Sequence, residues 1–157
     1  MQKITTFLWF DTQAEEAMNH YISVFKNSKV RSVTRWPEGH PQQGQVLVAS
    51  FELAGVTFQA LNGGPQYKFT EAISLSIDCK TQAEVDHFWV RLTEGGGEPG
   101  PCGWLKDKFG VSWQVVPEQL PRLLQDPDRA RAGRVMDAMM KMGKIDIAKI
   151  EEAAKGN

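Results

Sequence analysis

Strong acids, bases and metal donors are sparse in the stretches of this sequence that could carry a site. The three histidines, His20, His40 and His87, stand in helical periodicity or in a turn-rich loop. They read as surface or helix-packing residues, not as donors for a divalent ion. Cys102 lies in Gly100-Pro101-Cys102-Gly103-Trp104. A thiol there has nucleophilic chemistry, but no histidine is placed beside it in sequence to take its proton. A small, partly buried thiol is the plainer reading. What recurs is hydroxyl and amide chemistry: Thr6, Thr57, Gln59, Ser74, Ser76, Ser112 and Gln114 alternate with apolar residues. Such groups bind and orient a ligand, and without a strong acid, base or nucleophile they favour binding over catalysis. Trp104 and Trp36 stack on a planar ligand or pack into the core, and the sequence leaves both readings open. Asn62, before Gly63-Gly64, is a turn residue first and a ligand contact second, and Asp107 reads as turn chemistry. Arg129, Arg131 and Arg134 read as a solvated helix face.

These side chains need strands to position them. Ile4 to Phe10, Lys29 to Trp36, Gln45 to Leu53 and Val56 to Leu61 read as strands, and Ala14 to Phe25 has helical spacing behind an N-cap at Asp11 or Thr12. The same plan returns with a strand over Ala72 to Asp78 and a helix over Gln82 to Thr93 capped by Thr81. A hairpin over Trp104 to Lys108 and Val111 to Val116 follows, after an irregular stretch at Pro99 to Gly103. Gly95-Gly96-Gly97 follows a helix and so reads as its C-terminal cap. Side chains alternate across a strand. The helices are expected to cover Phe7, Trp9, Phe58, Ile73, Leu75, Ile77 and Trp113. The hydroxyl and amide residues then share the other face, which becomes a polar cavity if the sheet curls.

The sequence repeats itself. Gly55-Val56-Thr57-Phe58-Gln59 parallels Gly110-Val111-Ser112-Trp113-Gln114, and Thr12-Gln13-Ala14-Glu15 parallels Thr81-Gln82-Ala83-Glu84. The helix starts are 69 residues apart and the glycine-led strands 55, so the second copy is shorter in between. Two βαβββ units are therefore expected, over 1–70 and 71–117, followed by a helical extension over 118–157, all in one structural domain. In the extension Asp126-Pro127 reads as a cap with Pro at the first helical position. Val135, Met136, Met139, Met140 and Met142 give the next helix an apolar side for core packing, a dimer contact or a lid.

The composition bounds the function. The chain has 157 residues, 41% hydrophobic and 24% charged, with net charge -1. That is an ordinary globular balance with no electrostatic case for nucleic acid. No apolar run is long enough to span a bilayer. The N-terminus lacks signal-peptide anatomy, so a cytoplasmic location is expected, with Cys79 and Cys102 as thiols.

Tandem βαβββ units with glycine-led fourth strands resemble the vicinal oxygen chelate superfamily of glyoxalase I, bleomycin-resistance proteins and extradiol dioxygenases. Four stretches are similar to its PhnB-like branch, often labelled 3-demethylubiquinone 3-methyltransferase: Phe7-Leu8-Trp9-Phe10-Asp11, Ala14-Glu15-Glu16-Ala17, Cys102 through Gln114, and Met142-Gly143-Lys144-Ile145-Asp146-Ile147. The resemblance covers nearly the whole chain. It implies an α+β fold, two tandem βαβββ modules forming a curled mixed sheet around a cavity, plus C-terminal helices. Metal-dependent members hold the ion from the first and last strands of each module. Carried over, those positions are Thr6, Gln59, Ala72 and Gln114. Alanine cannot ligate, and a hydroxyl with two neutral amides is a poor set for a divalent ion, so no metal is expected. A methyl donor usually sits in a doubly wound sheet beside a glycine-rich turn after the first strand, which this sequence lacks. No cofactor is expected.

The expected function is metal-free binding of a small molecule in a polar cavity between the modules, by a homodimer. The site residues are Thr6, Thr57, Gln59, Asn62, Ser74, Ser76, Cys102, Trp104, Ser112 and Gln114. An enzyme of the PhnB-like branch acting on a small substrate, aromatic or not, is the alternative, and a metal-dependent lyase or dioxygenase the second.

Overall fold

Each half of the chain builds a sheet by the same device: the first strand pairs in parallel with the last, and a helix covers one face. In the computed structural model, which describes residues 2–156, the first half runs β1 (Thr6–Phe10), α1 (Ala14–Val24), β2 (Lys29–Arg35), β3 (Val46–Leu53) and β4 (Val56–Asn62). The second runs β5 (Leu75–Cys79), α2 (Gln82–Thr93), β6 (Glu98–Pro99), β7 (Trp104–Lys106) and β8 (Ser112–Pro117). The sheets have the same order, β1-β4-β3-β2 and β5-β8-β7-β6. The fold is therefore α+β, with tandem βαβββ modules and two mixed four-stranded sheets. The helices α3 (Gln119–Leu124), α4 (Arg129–Met140) and α5 (Ile147–Lys155) follow. The chain divides into two compact units between Phe69 and Thr70, and the three C-terminal helices belong to the second. No helix among the described residues is long and apolar enough to cross a membrane.

In the first unit, α1 buries Ala17, Met18, Tyr21 and Val24. They meet a sheet face carrying Leu8, Phe10, Ala49, Phe51 and Ala60, all buried. Here the structure corrects the alternation. Leu8 pairs with Ala60 and Phe7 with Gln59, so Leu8 and Phe10 face the helix while Phe7 and Trp9 share the other face with Gln59. Phe7 is 52% exposed. Apolar residues occupy both sides of β1, so their spacing cannot choose a face, and pairing with β4 decides it. Thr6 takes the side of Leu8 and Phe10, away from Gln59.

The helix start also differs from expectation. Gln13 is the N-cap of α1 and makes no side-chain cap bond. The N–H of Ala14 instead donates to Asn62 Oδ1 at 2.8 Å, and Asn62 Nδ2 donates to Val46 O at 3.0 Å. Asn62 thus caps a helix 48 residues away in sequence.

In the second unit the alternation of β5 and β8 holds. Leu75 pairs with Trp113 and Ile77 with Val115 on the helix side, and Ser76 pairs with Gln114 on the other. The strand begins at Leu75 rather than Ala72, and Ile73 lies outside it, 77% exposed. The hairpin into β8 turns on Asp107, which is buried. Asp107 accepts from Phe109 N, Val111 N and Trp113 Nε1 at 2.9, 3.0 and 2.9 Å. One carboxylate thus ties the turn to the core indole, a charge-assisted arrangement. The C-terminal helices enclose an apolar cluster of Leu120, Val135, Ile145, Ile150 and Ala154. The cap of α4 is Asp128, whose side chain accepts from Arg131 N, rather than Asp126.

Candidate functional site

The face of the second sheet that α2 leaves open is built from cross-strand rows. Glu98 pairs with Lys106 across β6 and β7, and Lys106 pairs with Ser112 across β7 and β8. Trp104 pairs with Gln114, and Gln114 with Ser76. Directly paired residues point to the same side, so Glu98, Lys106 and Ser112 form one row and Trp104, Gln114 and Ser76 the next. A cavity of about 490 Å³ opens here, lined by Glu71, Glu98, Cys102, Trp104, Lys106, Ser112 and the Pro99–Pro101 segment. That volume is in the range of small-molecule sites.

Ser112 is 1% exposed, and its hydroxyl finds no hydrogen-bond partner. Leaving a buried hydroxyl unpaired costs about 1–3 kcal/mol. Such a group in a cavity wall has its hydrogen-bonding capacity uncommitted. Gln114 Nε2, by contrast, donates to Ser74 Oγ at 2.9 Å, so those two are tied to each other. Lys106 Nζ is paired with the Glu71 carboxylate. The hydrogen bond between them raises the Lys106 pKa and holds the Glu71 carboxyl below its ordinary value. Both side chains are in part solvated, so the pair is a weak contact beside the cavity.

The rim is conformationally constrained. Cys102 has φ +59° and Gly103 φ +83°. A Cβ on Gly103 would come within 3.0 Å of Val115 O and 3.1 Å of Ile145 Cγ1, so this position needs glycine. Cys102 Sγ lies 3.7 Å from Met140 Sδ. Both cysteines are free thiols. Burial, followed by the nearby Glu84 and Asp78 carboxylates, pushes Cys79 up to about 12, so it is inert near neutrality.

Of the residues singled out in the sequence, Cys102, Trp104 and Ser112 line the cavity, and Gln114, Ser74 and Ser76 stand on or beside the same sheet face. Thr57 and Gln59 share the open face of the first sheet, since Thr57 lies two residues before Gln59 on β4. Thr6 does not join them. Both polar ends of the Asn62 side chain are engaged in holding α1 and β3. The sequence reading missed Glu71, Glu98 and Lys106. The signal was present only in part: Lys106 sits two residues after Trp104, hence on the same face, but Glu98 and Glu71 required the strand pairing and the turn before β5.

The metal test can be made on these residues. Among the described residues no group of three His, Cys, Asp or Glu side chains converges. Of the positions carried over, Ala72 lies in a turn before β5, Thr6 is on the opposite side of its sheet from Gln59, and Gln114 is bonded to Ser74. This donor set does not fit a divalent centre. A nucleotide-like methyl donor fits no better. β1 leads to α1 through Asp11, Thr12 and Gln13 without a glycine turn, and Gly97 closes the end of α2 by donating to Thr93 O at 3.0 Å.

The sequence profile of the 3-demethylubiquinone-9 3-methyltransferase family matches residues 2–116. The PhnB protein of Bacillus cereus, provisionally described as a 3-demethylubiquinone-9 3-methyltransferase, is 39% identical. Its structure has a TM-score of 0.67 to this one, over 74% of this chain and 99% of that one. The protein PA1353 of Pseudomonas aeruginosa has a TM-score of 0.64 at 20% identity, covering 75% and 98%. A fosfomycin resistance protein, FosX of Listeria monocytogenes, solved with Mn(II) and sulfate, has 0.56 at 13% identity, covering 79% and 95%, and speaks for the fold alone. Comparison with curated proteins finds no match. The family profile ends at residue 116, and the Met142–Ile147 stretch lies beyond it. On a profile spanning most of its length and a 39% identical relative, the chain belongs to the 3-demethylubiquinone-9 3-methyltransferase family, the PhnB-like branch of the vicinal oxygen chelate superfamily.

Proposed function

We propose that the protein binds a small organic molecule, without a metal, on the open face of the second module. The observation that carries this is the buried, unpartnered Ser112 hydroxyl in the wall of the cavity. An alanine there would remove its desolvation cost. Around it, Trp104, Pro99 and Pro101 supply apolar wall for a flat body, while Lys106, Glu71 and Glu98 supply polar contacts at the mouth. No side chain lining the cavity is arranged as a nucleophile with its base, which supports binding over turnover. A homodimer is part of the same reading. Phe7, 52% exposed on the open face of the first sheet, is apolar area that a second copy would cover.

The test is a matched panel of phenol, 2-naphthol, benzoate, benzamide and benzylamine, followed through the Trp104 indole resonance, with metal content measured on the same sample. Ser112→Ala is expected to stabilise the free protein by up to about 1 kcal/mol while weakening binding about fivefold. That opposite pair of signs identifies a hydroxyl kept for a ligand. If no member of the panel moves Trp104, or if Ser112→Ala leaves affinity unchanged, the reading fails. Stoichiometric bound metal needed for binding would bring the lyase or dioxygenase reading forward instead.

A further inference from the structure

The cavity wall is held from a part of the chain that lies beyond the matched family profile. The family match ends at residue 116, and the Bacillus cereus relative is matched over 99% of its length by only 74% of this chain. The extra residues do not trail away. After α4 the backbone passes along the rim of the cavity, where Cys102 N donates to Met142 O and Gly103 N to Gly143 O, both at 2.8 Å. The backbones are in close approach, since a Cβ on Gly143 would meet Gly100 O at 3.4 Å. Gly100, Pro101 and Cys102 are cavity wall.

The strap is itself anchored beyond the rim. Ile145 is fully buried and packs against Gly103. Gln82 of α2 clamps both sides of it, donating to Ile145 O at 3.0 Å and accepting from Ile147 N at 2.8 Å. Lys144 pairs with Asp86 one turn further along α2, at 2.7 Å. Rim, strap and α2 thus form a closed chain of contacts. The left-handed conformation of Cys102, which L residues other than glycine rarely adopt, persists when its surroundings over-determine it. The strap bonds are among those surroundings.

We infer that the Met142–Ile147 strap is a specificity element of this cavity. By holding Gly100 to Gly103 in one conformation, the C-terminal extension sets the wall against which a ligand fits, and so selects among ligands through residues that do not themselves line the cavity. This rests on the cavity being the ligand site.

Removing the whole extension would bare what it packs against, Val116 and Gly103 included, so the test uses the full chain with Gln82→Ala and Lys144→Ala together, which cut the side-chain clamps while leaving the extension's own apolar cluster intact. Hydrogen exchange at the Cys102 and Gly103 amides is expected to accelerate about tenfold or more, the equivalent of losing one or two hydrogen bonds' worth of protection. Alkylation near neutral pH reads Cys102 alone, because the Cys79 thiol stays protonated, and it is expected to accelerate in parallel. The ratio of affinities for 2-naphthol and phenol is expected to shift at least threefold in the double variant, by a wall that now yields. Unchanged exchange at the two amides, or faster exchange with an unchanged affinity ratio, overturns the inference. Wild-type protein that binds neither probe overturns the ligand site on which it rests, a result distinct from both.

Discussion

The two modules share strand order and helix placement, yet equivalent positions do different work. Glu52 and Asp107 occupy the same place in the repeat, three residues before Gly55 and Gly110. Glu52 reaches outward, to Arg31 at 2.8 Å and Lys29 at 3.7 Å. Asp107 is turned inward, where it holds two backbone N–H groups and the Trp113 indole. Two residues after those glycines, Thr57 and Ser112 diverge as well. Ser112 is buried with its hydroxyl unpaired, whereas Thr57 is half-buried. The open faces follow suit. In the first module Trp9 is occupied by its own loop, donating to Gly64 O at 2.9 Å and meeting Tyr67 edge-on at 5.0 Å. In the second, the equivalent face opens to the cavity. A duplicated framework therefore allows one copy to be closed by its own aromatic residues while the other keeps an open cavity.

The contrast is sharpest at the turns. Asp107→Ala strands buried donors, including the Trp113 indole N–H, and is expected to destabilise the second unit by about 3 kcal/mol. Denaturant unfolding measures that loss, and a change below about 1 kcal/mol would mean that the three bonds do not matter together. Asn62→Ala probes a bond the second module does not have, since Pro117 stands at the matching place. Loss of the Ala14 cap and the Val46 contact is expected to cost about 1–2 kcal/mol. The loss should appear as faster exchange in the first turn of α1. The smallest effect belongs to Glu52→Gln, at most about 1 kcal/mol and fading with added salt, because its partners are solvated. A Glu52 effect as large as that of Asp107 would erase the distinction between the two turns.

The repeated Gly-Val-Thr/Ser-aromatic-Gln segments and the Thr-Gln-Ala-Glu helix starts are enough to predict two βαβββ modules, because a glycine turn and a period of two are local properties. The same locality made β8 and most of β5 legible, and with them the shared face of Ser76, Ser112 and Gln114. It failed at β1, where Phe7-Leu8-Trp9-Phe10 is apolar on both sides, and at Ile73, where the strand had not yet begun. The short β6 was read as irregular, which hid Glu98 and its place beside Lys106.

The sequence by itself determined the duplicated framework, the α+β class, the poor metal-donor set and the polar side of β8, since all of these follow from residue type and short-range spacing. Only the tertiary structure decided which face of β1 meets the helix, that Asn62 caps α1, that Glu71 reaches Lys106, and that a strap from beyond residue 140 holds the rim at Cys102. Those outcomes depend on strand register and on contacts between residues far apart in the chain. No local pattern encodes which distant backbone N–H a given carbonyl or carboxamide will meet.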